Sequence, residues 1–374
     1  MNLKNRLTSL DFFRGATVAA MIMVNDPGNW NTTYYQLTHA EWEGCTATDL
    51  IFPFFLFIVG VSITLAFSRA LEKGKSKKEL AQKALKRGAI IFSLGLFLNV
   101  FPSFNFSELR IPGVLQRIAL VYVICSLLYL YASRKGQLLW FLLVLVGYYV
   151  VMTYVPVPGI GAANLDPVNN FSAWFDRLIL EGNLGQNGKG LYDITGIFTT
   201  IPAIGSGLSG IFIGHLLMSK KMDGNIALIW MFVLGCSLLA LGWLWSLEFP
   251  IIKGLWTSSF VLHSSGLAIL CFAISHWFID ILKFEKAIKP FLAFGANALA
   301  AYFIAGVFSK FTSSEILSIG NNNTVQSIKE WTFSKLLMAA PDPYVSSLAY
   351  SVINTLLIFA LIWVLYKKNI IIKV

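Results

Sequence analysis

Apolar runs of about 18–22 residues recur along the chain, and nothing else in the sequence constrains its fold as strongly. A run of that length crosses the hydrocarbon core as one α-helix, the form that satisfies every backbone polar group within the segment. The runs fall at 8–26, 50–69, 86–102, 113–132, 137–155, 196–217, 226–247, 255–279, 289–309 and 345–366. Between them lie Pro-, Gly- and Asn-rich stretches such as "NDPGNW", "VPVPGIGAANLDP", "EGNLGQNGKG" and "GNNNT". With 56% hydrophobic and 13% charged residues, residues 1–374 read as one all-α polytopic membrane domain, a single bundle of about ten transmembrane helices. Lys4 and Arg6 precede the first run as in a signal peptide, but no small-residue cleavage site follows and Asp11 and Arg14 interrupt it, so it reads as a retained helix. Cys45, Cys125, Cys236 and Cys271 have neither paired nor metal-like spacing, so neither a disulfide framework nor a metal site is expected.

A net charge of +10 would suggest nucleic acid in a soluble chain, so its distribution matters. The N-terminus, 69–87, 134–135, 220–221, 283–289 and the C-terminal tail together carry 20 Lys and Arg, whereas 27–49, 103–111, 156–195, 248–254 and 310–344 carry 7. The positive-inside rule then places both termini in the cytoplasm and loop 27–49 outside. The surplus is topological, and the expected partner is the bilayer rather than nucleic acid. The segment "RALEKGKSKKELAQKALKR" could also attract anionic headgroups. The absence of an internal repeat disfavours an inverted-repeat transporter.

Ionisable groups within spans are costly, so each is a functional candidate. Asp11 and Arg14, three apart near the cytoplasmic end of span 1, form an ion pair or leave Arg14 to an anionic ligand. Arg117, with Gln116 beside it, lies a turn inside span 4 and needs a partner across the bundle. Asp49 has the right depth, so a structural Arg117–Asp49 bridge and a catalytic role both stand. Helix termination at "NDPG" accounts for Asp26, while the Asn25 amide could orient a substrate carbonyl. Asn297, among Gly and Ala near the middle of span 9, suggests an interhelical hydrogen bond. His215 and His276 read as interfacial and His263 as hydrogen-bonded in the bundle. His39 stands in loop 27–49 with Glu41, Glu43 and Asp49 just before an apolar run; taken alone it is inert or catalytic. "GNLGQNGKG" fails the phosphate-loop spacing, since Asn183 stands where glycine is needed and Gly190 follows Lys189. HExxH, GxSxG and CxxC do not occur.

"RLTSLDFFRG", "MVN", "THAEWEGCTATDLIFPFFLFIVGVSI", "RIPGVLQRIAL", "LYDITGIFTTIPAI", "KGLWTSSFVL" and "GANALAAY" follow one another in order. Together they resemble the membrane acyltransferase family typified by heparan-α-glucosaminide N-acetyltransferase and its bacterial glucosamine N-acetyltransferase relatives, nearly end to end. The resemblance implies that cytoplasmic acetyl-CoA supplies an acetyl group to the amine of a glucosamine unit, free or in a glycan fragment, beyond the membrane. It places the family's catalytic histidine on His39, its active-site asparagine on Asn25, and the motif aspartate and arginine on Asp49 and Arg117. His39 would act as general base or as acetyl carrier, Asn25 or a nearby donor would stabilise the oxyanion, and Arg14 and Arg87 would hold the nucleotide end. "DITG" departs from the family's usual Asp-Pro-Glu-Gly, with Thr195 in place of an acid. The lumenal domain and extra first span of the lysosomal enzyme have no counterpart, which fits a short bacterial form in the inner membrane; the family also suggests a homodimer. A secondary transporter of an amino sugar or small anion is the alternative, using the same intramembrane charges as a pathway.

Overall fold

The computed structural model describes residues 7–185, 190–219, 223–284, 286–314, 318–319 and 326–372. Lys4, Arg6, Lys220, Lys221 and Lys373 of the charge pattern, Gly188 and Lys189 of the glycine-rich loop, and "GNNNT" lie outside them. The described chain is α-helical apart from a two-residue hairpin, β1 (Ser318–Ile319) with β2 (Gln326–Ser327). The helices are α1 (Thr8–Asn25), α2 (Ala47–Glu72), α3 (Lys77–Val100), α4 (Val114–Tyr131), α5 (Arg134–Tyr154), α6 (Phe171–Leu180), α7 (Thr200–Leu217), α8 (Gly224–Trp245), α9 (Ser258–His276), α10 (Lys289–Ala296), α11 (Ala298–Ser313), α12 (Ile328–Ala339) and α13 (Pro343–Lys367). A π-helical turn, Trp277–Ile281, continues α9.

Each predicted run is helical, but the membrane-length test is stricter. Among the described residues seven helices are long and apolar enough to cross a membrane, and α10 with α11 makes an eighth if that bent pair is one span. Charge explains the shortfall: α1 carries Asp11 and Arg14, and α3 opens on a run of Lys and Glu. Burial sorts the rest. The apolar windows of α2, α7 and α9 are 61%, 72% and 67% buried and form the centre, while those of α8 and α13, at 22% and 28%, present leucines, isoleucines and tryptophans outward, as lipid-facing helices do.

Small residues let the central helices touch, as bilayer-embedded interfaces require. A Cβ on Gly60 of α2 would collide with the Gly207 carbonyl of α7, and one on Gly210 with the Phe57 carbonyl. Gly15 of α1 and Gly295 of α10 meet in the same way, through the Phe291 and Asp11 carbonyls.

Span 9 is not continuous. α10 and α11 meet at 85°, and Asn297 is the residue at the break. Its buried amide makes no interhelical bond of the kind expected: Nδ2 donates to Ile370 O at 3.1 Å, and Oδ1 accepts from Ile372 N at 2.9 Å. Asn297 thus pins the segment after α13 to the bend. Asp26 also does more than end α1, because its buried carboxylate accepts from Lys329 Nζ of α12 and Asn354 Nδ2 of α13, both at 2.7 Å. His276 is buried, with Nδ1 2.9 Å from Asp280 Oδ2 and 3.5 Å from Ser9 Oγ, so it is hydrogen-bonded inside the fold at the end of α9. His263 Nδ1 has no hydrogen-bond partner, contrary to its expected place in a polar network. His215 stacks on Tyr129 and meets Gln137 Oε1 at 3.0 Å.

Candidate active site

Residues 38–49 fold back onto the start of α2 because Asp49 draws them in. Asp49 is the third residue of α2, and its Oδ2 reaches back to the Thr46 amide at 3.0 Å, the carboxylate half of a capping box. The same oxygen accepts from Ala40 N at 3.1 Å, turning the chain so that His39 Nδ1 lies 2.7 Å from Asp49 Oδ1. Nitrogen facing a carboxylate oxygen at that distance carries the proton, so His39 donates from Nδ1 and Nε2 is left as the base. Asp49 is 1% exposed and His39 43%, an arrangement with a fixed inner face and an open outer one.

The other motif residues hold this loop. Thr46 Oγ1 donates to Thr38 O at 2.6 Å. Gly44, at φ 102°, takes a backbone form that disfavours side chains, and its N–H donates to Ile251 O at 2.8 Å. Trp42 donates from Nε1 to Leu165 O at 2.9 Å and lies over Gly254. The result couples loop 38–46 to the turn after α8. On that turn Lys253 places Nζ 3.1 Å from Asp49 Oδ1 and 2.8 Å from His39 Nδ1, making a third member of the cluster. Burial lowers the Lys253 pKa while Asp49 opposes the change. The neighbouring Cys45 thiol is pushed up to about 12, chiefly by burial and then by Asp49.

Arg117 does not bridge to Asp49. It is 1% exposed, and its guanidinium packs 4.8 Å from the Trp256 ring centroid and 5.9 Å from that of Phe52. Nη2 donates to Ile194 O at 3.2 Å, to Gly196 O at 3.3 Å and to Thr199 Oγ1, so Arg117 organises the 193–199 segment. The physical reason is competition: Asp49 is already saturated by its own loop and Lys253, while Arg117 reaches the Ile194 carbonyl and joins Thr199 and Thr200 at the Gly196 carbonyl. Asp176 of α6 supports the same segment, accepting from Ile197 N and Phe198 N at 3.0 and 3.1 Å, and burial pushes its carboxyl up to about 6. Beside it, Arg110 clamps Asp193 with two 2.7 Å bonds and donates to Thr195 Oγ1 at 3.0 Å. Burial alone would raise the Asp193 carboxyl, yet Arg110 and Thr195 hold it below the usual carboxylate range.

A cavity of about 310 Å³ opens beside this clamp. Asn25, Gln116, Arg110, Thr195, Lys310 and Asn354 are among its lining residues. Gln116 Nε2 and Asn354 Oδ1 lie buried behind the cavity surface and have no hydrogen-bond partner, so a small side-chain movement would bring one unmet donor and one unmet acceptor to the wall. The structure therefore brings Asn25 and Gln116 together, whereas His39 does not line this cavity. Arg14 and Arg87 lie apart from it. Arg14 pairs with Asp11 at 3.2 Å and donates to Ser62 Oγ at 2.7 Å, and the exposed Arg87 packs on Tyr122. Among the described residues no group of three His, Cys, Asp or Glu side chains could hold a metal ion.

Residues 6–242 match the family described as heparan-alpha-glucosaminide N-acetyltransferase, catalytic. The chain belongs to that family. It is 30% identical over 359 residues to heparan-alpha-glucosaminide N-acetyltransferase of Homo sapiens, covering 82% of this chain and 53% of that protein. The corresponding protein of Mus musculus is 28% identical over 357 residues, covering 80% and 53%. The chain spans about half the length of the curated relatives it matches.

The family match takes in Asn25, His39, Asp49, Gln116 and Arg117, and ends before Lys253 and Asn297. Lys253 was missed by sequence reasoning although it opens the quoted run "KGLWTSSFVL". Its signal was there to find: it is the single basic residue of a short turn in the Lys-poor set of loops. Arg110 and Asp193 were missed because nothing local pairs residues so far apart in the chain.

Proposed function

We propose that this chain is a transmembrane N-acetyltransferase, which moves the acetyl group of acetyl-CoA to the amine of a glucosamine unit. The observation that carries this reading is the Asp49–His39 hydrogen bond, which leaves Nε2 as an open base on a fixed loop. Nε2 takes the proton of the sugar ammonium, and the freed amine attacks the thioester carbonyl. The C–N bond forms as the C–S bond breaks, and the second proton lost by the nitrogen passes through solvent to the departing CoA thiolate. The same nitrogen can instead attack the thioester, release the thiolate and pass the acetyl group to the amine in a second step.

In this reading the cavity receives the amino sugar. At about 310 Å³ it lies at the small end of the ligand-pocket range, roughly 300–1,000 Å³, which suits one sugar ring rather than a whole coenzyme A. Its unmet amide atoms match hydroxyl groups, and Asn25 or Gln116 Nε2 supplies the oxyanion donor. The bound substrate must bridge the cavity and His39. We place Arg14 and Arg87 at the nucleotide end of acetyl-CoA, in a bundle of ten spans with both termini cytoplasmic and His39 outside, in a bacterial inner membrane and assembled as a dimer.

Purified protein in detergent should consume acetyl-CoA only when glucosamine is present and yield N-acetylglucosamine with free CoA. A thioester left intact by wild-type protein would sink the enzyme reading and favour solute transport.

A further inference from the structure

We propose that Lys253 is the positioning cation of this site, holding the His39 imidazole neutral so that Nε2 stays available. The inference rests on the assignment of His39 as the reacting base or nucleophile, and it names what keeps that base unprotonated.

A carboxylate bonded to Nδ1 has two effects. It fixes the ring, and it stabilises the imidazolium, which has no lone pair at Nε2 and cannot act as base or nucleophile. An Asp–His pair alone in this loop would therefore favour the wrong protonation state. Lys253 supplies the correction. Its Nζ shares Asp49 Oδ1 at 3.1 Å and lies 2.8 Å from Nδ1 and 3.4 Å from Nε2, against the ring itself. Nδ1 already carries a proton directed at Asp49, so the ammonium cannot donate to it; its one hydrogen-bonding contact with the ring is the longer one to Nε2, and the short approach is a charge against the ring. Protonating Nε2 would put two cations on one carboxylate. Like charges this close repel, and Lys253, at 16% exposed, is shielded from water although His39, at 43%, is not.

The approach is built rather than incidental. Gly44 N–H bonds to Ile251 O and pairs with Ile252, which fastens the His39 loop to the Lys253 turn. Thr257 Oγ1 accepts from Ile252 N at 3.1 Å and donates to Pro250 O at 2.8 Å, closing that turn on itself. The titratable and charged groups acting on Lys253 are Asp49 from α2, Cys45 from the His39 loop, His39 and the more distant Arg117 from α4. Asp49 is the anion among them, so the lysine and histidine compete for it directly.

The test compares Lys253→Met, Lys253→Gln and Lys253→Arg in the full-length detergent-solubilised protein, each checked by size exclusion and thermal melting. Two readouts are taken from pH 5 to 9: kcat/KM for acetyl transfer, and the rate at which diethyl pyrocarbonate, which attacks neutral imidazole, modifies His39. The second is read as the difference from His39→Ala. Both neutral variants should move the acid limb of both profiles upward by about one pH unit or more. That corresponds to a loss of kcat/KM that approaches about tenfold at the acid end of the range, is roughly threefold near neutrality and is recovered by pH 9. Lys253→Arg, which keeps the charge, should track the wild type. Should Lys253→Met fail to fold, Lys253→Gln keeps a polar side chain beside Asp49 and carries the comparison. An acid limb unmoved in the neutral variants overturns the proposal, and so does one that Arg shifts as far as Met, since packing would then explain the loss. If wild-type protein transfers no acetyl group, the functional reading fails alone, because the modification profile still decides what Lys253 does to His39.

Discussion

The His39 cluster and the cavity beside the Arg110–Asp193 clamp treat polar atoms in opposite ways. At His39 the carboxylate is filled from its own loop, the imidazole is tied at one nitrogen, and Nε2 is what remains. In the cavity, Gln116 Nε2 and Asn354 Oδ1 are buried with nothing to bond. Unpaired buried amides cost about 1–3 kcal/mol each, a burden a ligand can relieve. In the function we propose, the first region does the chemistry and the second binds. That contrast separates rate from binding, and each prediction below tests on which side a residue falls.

The largest effect is expected at His39. His39→Ala should lower kcat by about 10²–10⁴-fold while leaving acetyl-CoA binding and melting temperature close to wild type, because the side chain is partly exposed and supports no helix. Raising the pH divides the two chemical routes. If His39 is a base, some activity returns as more of the sugar amine is already neutral; if it carries the acetyl group, none does. Full-rate acetylation without His39 would remove the contrast altogether.

Donor binding comes next. Arg14→Ala and Arg87→Ala should each weaken acetyl-CoA by roughly ten- to a hundredfold in calorimetry, with little change in acceptor KM, since charge-assisted contacts to phosphate are worth about 1.5–3 kcal/mol. Arg14 makes the stricter test, because Ser62, Gly295 and Asp11 already engage its guanidinium. Unchanged affinity in both variants would move the nucleotide end elsewhere in the bundle.

On the cavity side, Gln116→Leu should raise the acceptor KM about tenfold with kcat nearly unchanged if Nε2 serves binding. It should also leave or improve stability, because it removes a buried donor that has no partner. An equal fall in kcat and kcat/KM would instead make Gln116 the oxyanion donor and shift the cavity to the side of chemistry.

How much of this was legible in the sequence follows the range of each interaction. Helix positions were, since each is a local apolar run, and so was the nearness of His39 and Asp49, ten residues apart, but not the bond between them. The break at Asn297 was not, because its cause lies at Ile370 and Ile372, beyond any local window. The Arg117–Asp49 bridge failed for a related reason. Depth in the bilayer made it plausible, but the guanidinium turns instead to the carbonyls of Ile194 and Gly196 and packs on the rings of Trp256 and Phe52. Lys253 shows the limit most clearly: a charge count along loops sets it in the Lys-poor group, and only packing gives its neighbour.

The smallest effect is expected at the two buried acids that shape the loop between the regions, and it should have opposite signs. Asp193 is held below the usual carboxylate range, so its contribution to stability is present above the unfolded value and disappears as pH falls through the lower folded one. Asp176 is raised to about 6, so in the window between the ordinary carboxylate value of 3.8 and about 6 the folded chain binds the extra proton and stability declines as pH rises. Asp176→Asn keeps an acceptor for Ile197 and Phe198 but has no charge to bury. It should therefore be the more stable protein at pH 7.5 by about 1 kcal/mol, an advantage that vanishes near pH 4 where the wild-type carboxyl is protonated. Asp193→Asn should do the reverse, losing stability at pH 7.5 because Arg110 is left without its bidentate partner. Thermal melts of both variants across that range decide it. Melting curves that shift in the same direction at pH 7.5 would mean that the two acids answer to a shared loop rearrangement rather than to their separate partners.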